Sequence, residues 1–147
     1  MTWIACIAFL ISCSNKSYSQ TQESAPTENP KEKTEITEKI NLYFEGWMTG
    51  DTTLLGQAMH STCQLKNLKD DKVVIYDRST YLGFFKPRPR RQNAGGRIIN
   101  IDVTGYTASA KCEIYTEDRL YTDYFNMMKV QEEWYIVDKI ASSKLKE

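Results

Sequence analysis

Asp138 lies in the run Trp134-Tyr135-Ile136-Val137-Asp138-Lys139-Ile140, where strand alternation groups it with Trp134, Ile136 and Ile140 on one apolar side. A carboxyl on that side is desolvated, which raises its pKa unless a partner compensates. It then serves either as a functional acid or as a structural hydrogen-bond acceptor. His60 is the single histidine of the chain. It follows a short apolar helix and offers a proton shuttle at a pocket or a hydrogen-bonding group at a helix end. These two are the candidate catalytic residues. Lys86, Arg88, Arg90, Arg91 and Arg97 crowd around Pro87, Pro89 and Gly95-Gly96. Of these, Arg88, Arg90 and Arg91 are candidates for binding phosphate, a carboxylated ligand or lipid head groups, set against an ordinary solvated loop.

The elements that position these residues begin with an aromatic helix. Ile36, Ile40, Tyr43, Phe44 and Trp47 fall on one helical face. That stripe is either plain core or the wall of a container, so Tyr43 and Trp47 are candidate ligand contacts. Thr34 or Thr37 is the expected N-cap, followed by Glu35 and Glu38 where the helix dipole favours carboxylates. Gly46 inside the helix costs about 1 kcal/mol against alanine, less than the stripe's burial returns, and points to a close backbone approach. Gly50 suits a left-handed helix end and Asp51 caps a second helix burying Leu54, Leu55, Ala58 and Met59. Residues 63–68 and 73–76 flank the turn Lys69-Asp70-Asp71-Lys72 as a hairpin, and Asp77 caps a third helix over residues 78–85, stopped by Lys86-Pro87.

Four strands follow, over residues 97–104, 106–116, 120–130 and 134–142. The expected fold is α+β: a cone-shaped, curved antiparallel sheet with three helices packed on its concave face. Which residues face Asp138 depends on register. A two-residue turn at Gln131-Glu132 sets Phe125 opposite Asp138 and Asp123 opposite Ile140; a three-residue turn brings Asn126 and Tyr124 there, and one slip exchanges the faces.

The chain has 147 residues, 41% of them apolar, the size of one domain with an ordinary core. Lys plus Arg and Asp plus Glu both number 19, so no global field draws it to nucleic acid. The four cysteines, at 6, 13, 63 and 112, form no Cys-x-x-Cys, and with a lone histidine they make a metal site improbable; no cofactor is implied. Cys63 and Cys112 are expected as buried free thiols. Residues 1–12 read as a signal peptide, too short to span a bilayer. Leu10-Ile11-Ser12-Cys13 resembles a bacterial lipoprotein processing site, which makes Cys13 the lipidated first mature residue and places the protein in the cell envelope, periplasmic or outer membrane. Secretion with cleavage after Ser19 is the alternative. Residues 13–33 then form a polar tether, 34–143 the domain and 144–147 a tail.

The order of elements, with the stretch from Tyr43 through Gly50-Asp51 to Met59-His60, resembles the nuclear transport factor 2-like superfamily. Its members include ketosteroid isomerases, SnoaL-like cyclases and proteins labelled putative lumazine-binding. The last group matches best, through Gly50-Asp51, Met59-His60, Lys86-Pro87-Arg88-Pro89-Arg90 and Trp134-Tyr135-Ile136-Val137-Asp138, over roughly residues 34 to 143. Isomerases of this fold use an oxyanion hole of a tyrosine and a protonated aspartate with an aspartate base. The resemblance places the tyrosine on Tyr43, the hole's aspartate on Asp123 and the base on Asn67. An amide cannot take that proton, so the constellation is incomplete and argues against an isomerase.

Three readings follow. The first is a small-molecule-binding domain whose mouth is lined by Tyr43, Trp47, Asp123, Phe125 and Asp138 and holds a small, partly aromatic ligand. The second is an acid-base enzyme on a carbonyl or alcohol substrate, with Asp138 or His60 as base. The third is a homodimeric assembly module whose outer sheet face carries Tyr115, Tyr121, Tyr124 and Tyr135. A homodimer is compatible with all three.

Overall fold

The computed structural model describes residues 29–146. Helix α1 spans Pro30–Thr49, α2 Thr52–Ala58 and α3 Arg78–Leu82; the strands are β1 Met59–Lys69, β2 Lys72–Asp77, β3 Gly95–Thr104, β4 Thr107–Tyr115, β5 Arg119–Val130 and β6 Glu133–Leu145. The α+β architecture is as expected, with one correction. The six strands run in the order β2-β1-β6-β5-β4-β3, and β1 pairs with β6 in parallel, so the curved sheet is mixed rather than wholly antiparallel. The four-strand meander is antiparallel as expected, and the preceding hairpin joins it along its last strand.

Helix α1 begins earlier than the Thr34 cap predicts. Asn29 accepts a hydrogen bond from the Lys31 amide and Pro30 occupies the first turn, where its missing N–H costs nothing. Its apolar stripe packs on the sheet as read: Ile36, Ile40, Tyr43 and Phe44 are buried, joined by Met48, while Trp47 is half-buried. At Gly46 a Cβ would lie 2.8 Å from Leu55 Cγ, which is the close approach the glycine permits. Gly50 takes φ 68 and ends the helix; Asp51 then accepts from the amides of Thr53 and Leu54 to start α2. Met59, expected at the end of α2, instead opens β1 and is buried there.

Two tight turns set the sheet. Asp70-Asp71 and Gln131-Glu132 each place both central residues at positive φ, as type I′ hairpin turns require. The second turn has two residues, as the preferred register demands, yet the pairing beyond it differs. Met127 faces Ile136, but Asn126 faces Asp138, because a bulge at Val137 inserts one residue into β6. From there Phe125 faces Lys139 and Tyr124 faces Ile140. The expected pairing of Phe125 with Asp138 is therefore corrected: the bulge reverses the faces, Lys139 is buried and Ile140 is exposed.

The N-terminal end of α1 is fixed to the β5–β6 hairpin. Trp134 is buried, and its indole N–H donates to Glu32 Oε2 at 2.6 Å, while Lys129 donates to Glu32 Oε1 at 2.9 Å. These two hydrogen bonds, Lys129's first, hold the Glu32 carboxyl below the usual glutamate value of 4.5. A lowered folded pKa gives stability that is complete above the unfolded pKa and lost as pH falls through the folded one. Thermal unfolding of Glu32→Gln should therefore show a lower Tm than the parent at pH 7, with the gap closing as the pH is taken below 4.5. A gap that stays constant across that range would mean that Glu32 contributes nothing through its charge.

Candidate functional site

The bulge decides what lies at the centre of the sheet's inner face. Asp123 comes from β5 and Lys139 from β6, on the same face of neighbouring strands. Asp123 is 1% exposed and Lys139 5%, and Nζ lies 2.8 Å from Asp123 Oδ1, an ion pair outside the angular range of a good hydrogen bond. Burial pushes the Asp123 carboxyl up, and the Lys139 ammonium opposes this. The ammonium also sits 5.8 Å from the Tyr43 ring centroid and 5.7 Å from that of Tyr81. The hydroxyls of Tyr43, from α1, and Tyr81, from α3, are 2.5 Å apart, and burial keeps both phenols protonated well above the usual tyrosine range. Phe125 packs edge-on to Tyr43 at 4.9 Å between centroids.

Above this layer opens a cavity of about 1020 Å³ between the C-terminal end of α1, helix α3, the β1–β2 hairpin and β6. Lys139, Tyr81 and Leu65 are its buried floor; Trp47, Tyr121, Phe84 and Phe85 are aromatic walls; Arg91 is exposed at its rim. Trp47 and Tyr121 meet edge-to-face at 5.4 Å. Asn67 also lines the cavity, with Oδ1 buried and without a hydrogen-bond partner.

The residues singled out from sequence separate into distinct places. Trp47 lines the cavity. Tyr43, Asp123 and Phe125 form the layer directly beneath its floor and reach it through Lys139 and Tyr81. Asp138 lies on the opposite face of β6, paired with Lys66 across the parallel seam, so its expected inward orientation is corrected by the bulge. His60 is held by Thr62 at 2.8 Å and stacks edge-on to Tyr135, away from the cavity lining. Arg88 lines the cavity while donating to the carbonyls of Trp47 at 2.6 Å and Met48 at 3.4 Å, which neutralises the carbonyl end of α1. Arg91 stands over the Trp47 ring at 5.2 Å. Arg90 pairs with Glu45 at 3.1 Å outside the lining. Tyr121, expected on the outer face, points inward. Cys63 and Cys112 are buried free thiols, as read, with burial pushing both up to about 12.

Sequence reasoning missed Lys139, Tyr81 and Tyr121. An inward Asp123 requires a counter-ion on an adjacent strand, and Lys139 was a cation in reach; that requirement was the available signal. Tyr81 carried no signal beyond its place in a short helix.

Chemically, the floor offers hydrogen-bond donors rather than a base. Lys139 has three N–H groups and one polar partner among the described residues, and one of the two phenols keeps a free O–H. Such donors are complementary to a carbonyl or other oxygen acceptor. Removing one charge of the buried pair leaves the other unpaired. In urea denaturation Asp123→Ala should lose about 3–5 kcal/mol, while the double variant Asp123→Leu with Lys139→Met should recover most of that loss. A double variant as unstable as the single one would show that the pair's mutual charge is not what matters.

A family profile for putative lumazine-binding domains matches residues 31–141. Among solved structures, a nuclear transport factor 2-like protein of unknown function from Shewanella baltica OS155 is similar at 28% identity, covering 78% of this chain and 94% of that one, with a TM-score of 0.70. One from Methylobacillus flagellatus KT shares 23% identity over 82% and 97% of the two chains, also with a TM-score of 0.70. One from Silicibacter pomeroyi DSS-3 shares 13% identity over 79% and 97%, with a TM-score of 0.67, and speaks to the fold. No functionally curated protein matches the chain.

Proposed function

We propose, from the premise that this chain belongs to the putative lumazine-binding family of nuclear transport factor 2-like domains, that it is a small-molecule-binding domain of the bacterial cell envelope. Its ligand is small and partly aromatic. The observation that carries this reading is the floor of the cavity, where Lys139 presents unused hydrogen-bond donors beside the Tyr81 hydroxyl, beneath aromatic walls. A buried lysine with unused donors facing a cavity is costly for stability alone and is explained by a ligand that accepts from it. Native mass spectrometry of the full chain, extracted from bacterial membranes in mild detergent, should show a small additional mass that is released on denaturation and absent from Lys139→Met. A bare chain in both, with no thermal stabilisation by any aromatic compound tried, would overturn the reading.

The envelope location rests on the apolar run of residues 3–11 and on Cys13, which lies outside the described residues. Palmitate label should enter the parent chain, and Cys13→Ala should lose both label and membrane association; an unlabelled or equally membrane-bound variant would exclude the anchor. A homodimer is supported by the outer face of the sheet. Ile75, Lys66, Ile140 and Tyr124 are cross-strand neighbours in one row, and the three apolar members are about half exposed. The same native spectra should report two chains per particle.

A further inference from the structure

Three cationic residues of the inner side, Arg88, Arg91 and Lys139, line the cavity, and among the described residues no aspartate or glutamate does; Lys66 borders it from β1 with its side chain turned to the outer face. The carboxylate that balances Lys139, Asp123, stands outside the lining in the layer beneath it. Arg88 is occupied by the carbonyls at the end of α1, where it cancels the negative end of the helix dipole that would otherwise repel an anion. Arg91 is different. Its backbone N–H goes to the Met48 carbonyl, its guanidinium stands over the Trp47 ring, and among the described residues no carboxylate lies within ion-pair distance of it. Asp118 forms no ion pair with it; its carboxyl is held below the usual aspartate range first by the hydrogen bond from Thr116, and the Arg91 charge adds last. The Arg91 charge also presses on Arg88, whose guanidinium burial first, and Arg91 second, push below the usual arginine range. A negative group between them relieves that repulsion.

We propose that the ligand is an aromatic organic anion. Its acid group, a carboxylate or a comparable oxyanion, meets Arg91 at the rim. The aromatic body lies against Trp47 and Tyr121 on one side and Phe84 and Phe85 on the other, and an oxygen acceptor at its far end reaches Lys139 and Tyr81 on the floor. The inference rests on the reading of this cavity as a binding site and adds to it the charge of what is bound. Guanidinium suits the role because it offers paired donors to a carboxylate while stacking on an indole. The aromatic walls suit a flat ring, which brings large contact area at small entropic cost.

The test is a matched pair of probes with one ring system, 2-naphthoate and 2-naphthylmethanol, titrated into the full chain by isothermal calorimetry. Naphthoate should bind about tenfold or more tightly than the carbinol, as a charge-assisted hydrogen bond implies. The ratio should shrink as salt rises from about 0.05 to 0.5 M. Arg91→Gln should bring the two probes level by weakening the acid alone. Arg90→Gln, which removes a nearby cation paired with Glu45 outside the cavity, should leave the ratio intact. Equal affinity for acid and carbinol in the parent chain, or the same loss in Arg90→Gln as in Arg91→Gln, overturns the anion inference while leaving the binding site standing. Failure of both probes to bind at about 1 mM removes both the anion inference and the binding site.

Discussion

A carboxylate with 1% of its surface exposed must find its counter-charge within the protein, and in this fold that demand falls on β6. Regular alternation would present Asp138 to Asp123's side of the sheet, placing two acids on one buried face. The bulge at Val137 removes that conflict by advancing the strand one residue, so that Lys139 turns inward and Asp138 turns out to Lys66. Both acids are then neutralised, on opposite faces, by one inserted residue. Much else follows from it. The exposed row of Ile75, Ile140 and Tyr124 exists because Ile140 was moved outward, and the polar floor exists because Lys139 was moved inward.

The helices answer to the same centre. Helix α1 delivers Tyr43 under Lys139 and Trp47 to the wall above it, a spacing of four residues that converts one helical turn into depth. Helix α3 brings Tyr81 down onto Tyr43, so the floor and the layer beneath it draw on two helices and on β1, β5 and β6. Arg88 fastens the basic loop to the carbonyls of α1, which sets where Arg91 can stand. The three arginines of the loop thus play different parts. Arg88 closes a helix, Arg90 pairs on the surface with Glu45, and Arg91 remains at the rim.

The fold was largely legible because its signals are local. The stripe from Ile36 to Trp47, the Gly50-Asp51 corner, the Asp77 cap and the strands of the meander depend on residues close in sequence and appeared near where the periodicity put them, whereas β1 starts at Met59, before the expected residue 63. Parallel pairing of β1 with β6 was not legible, since no local pattern distinguishes a parallel neighbour from an antiparallel one in a half-buried strand. The site was less legible for a related reason. A bulge at Val137 has no glycine or proline to announce it, and it changes the face of every later residue in β6. Tyr43, Trp47 and Asp123 were found by stripe and resemblance, whereas Lys139 became visible only through the electrostatic need of a residue one strand away. That α1 starts before Thr34 has a simpler cause: Asn29 and Pro30 together form a better helix start than a threonine already inside one.

The parallel seam between β1 and β6 also governs the order in which the chain can become a protein. Gln64 to Asn67 pair with residues 138 to 141, more than seventy positions downstream. During synthesis the β1–β2 hairpin therefore waits, and a two-stranded hairpin alone is marginal in water. The meander of β3, β4 and β5 can form from neighbours, but the inner floor cannot, because Lys139 arrives last and Asp123 stays without its counter-ion until it does. Closure of the seam over so long a separation is entropically slow. The nascent chain thus stays open along the inner face of its sheet until nearly its whole length has been made.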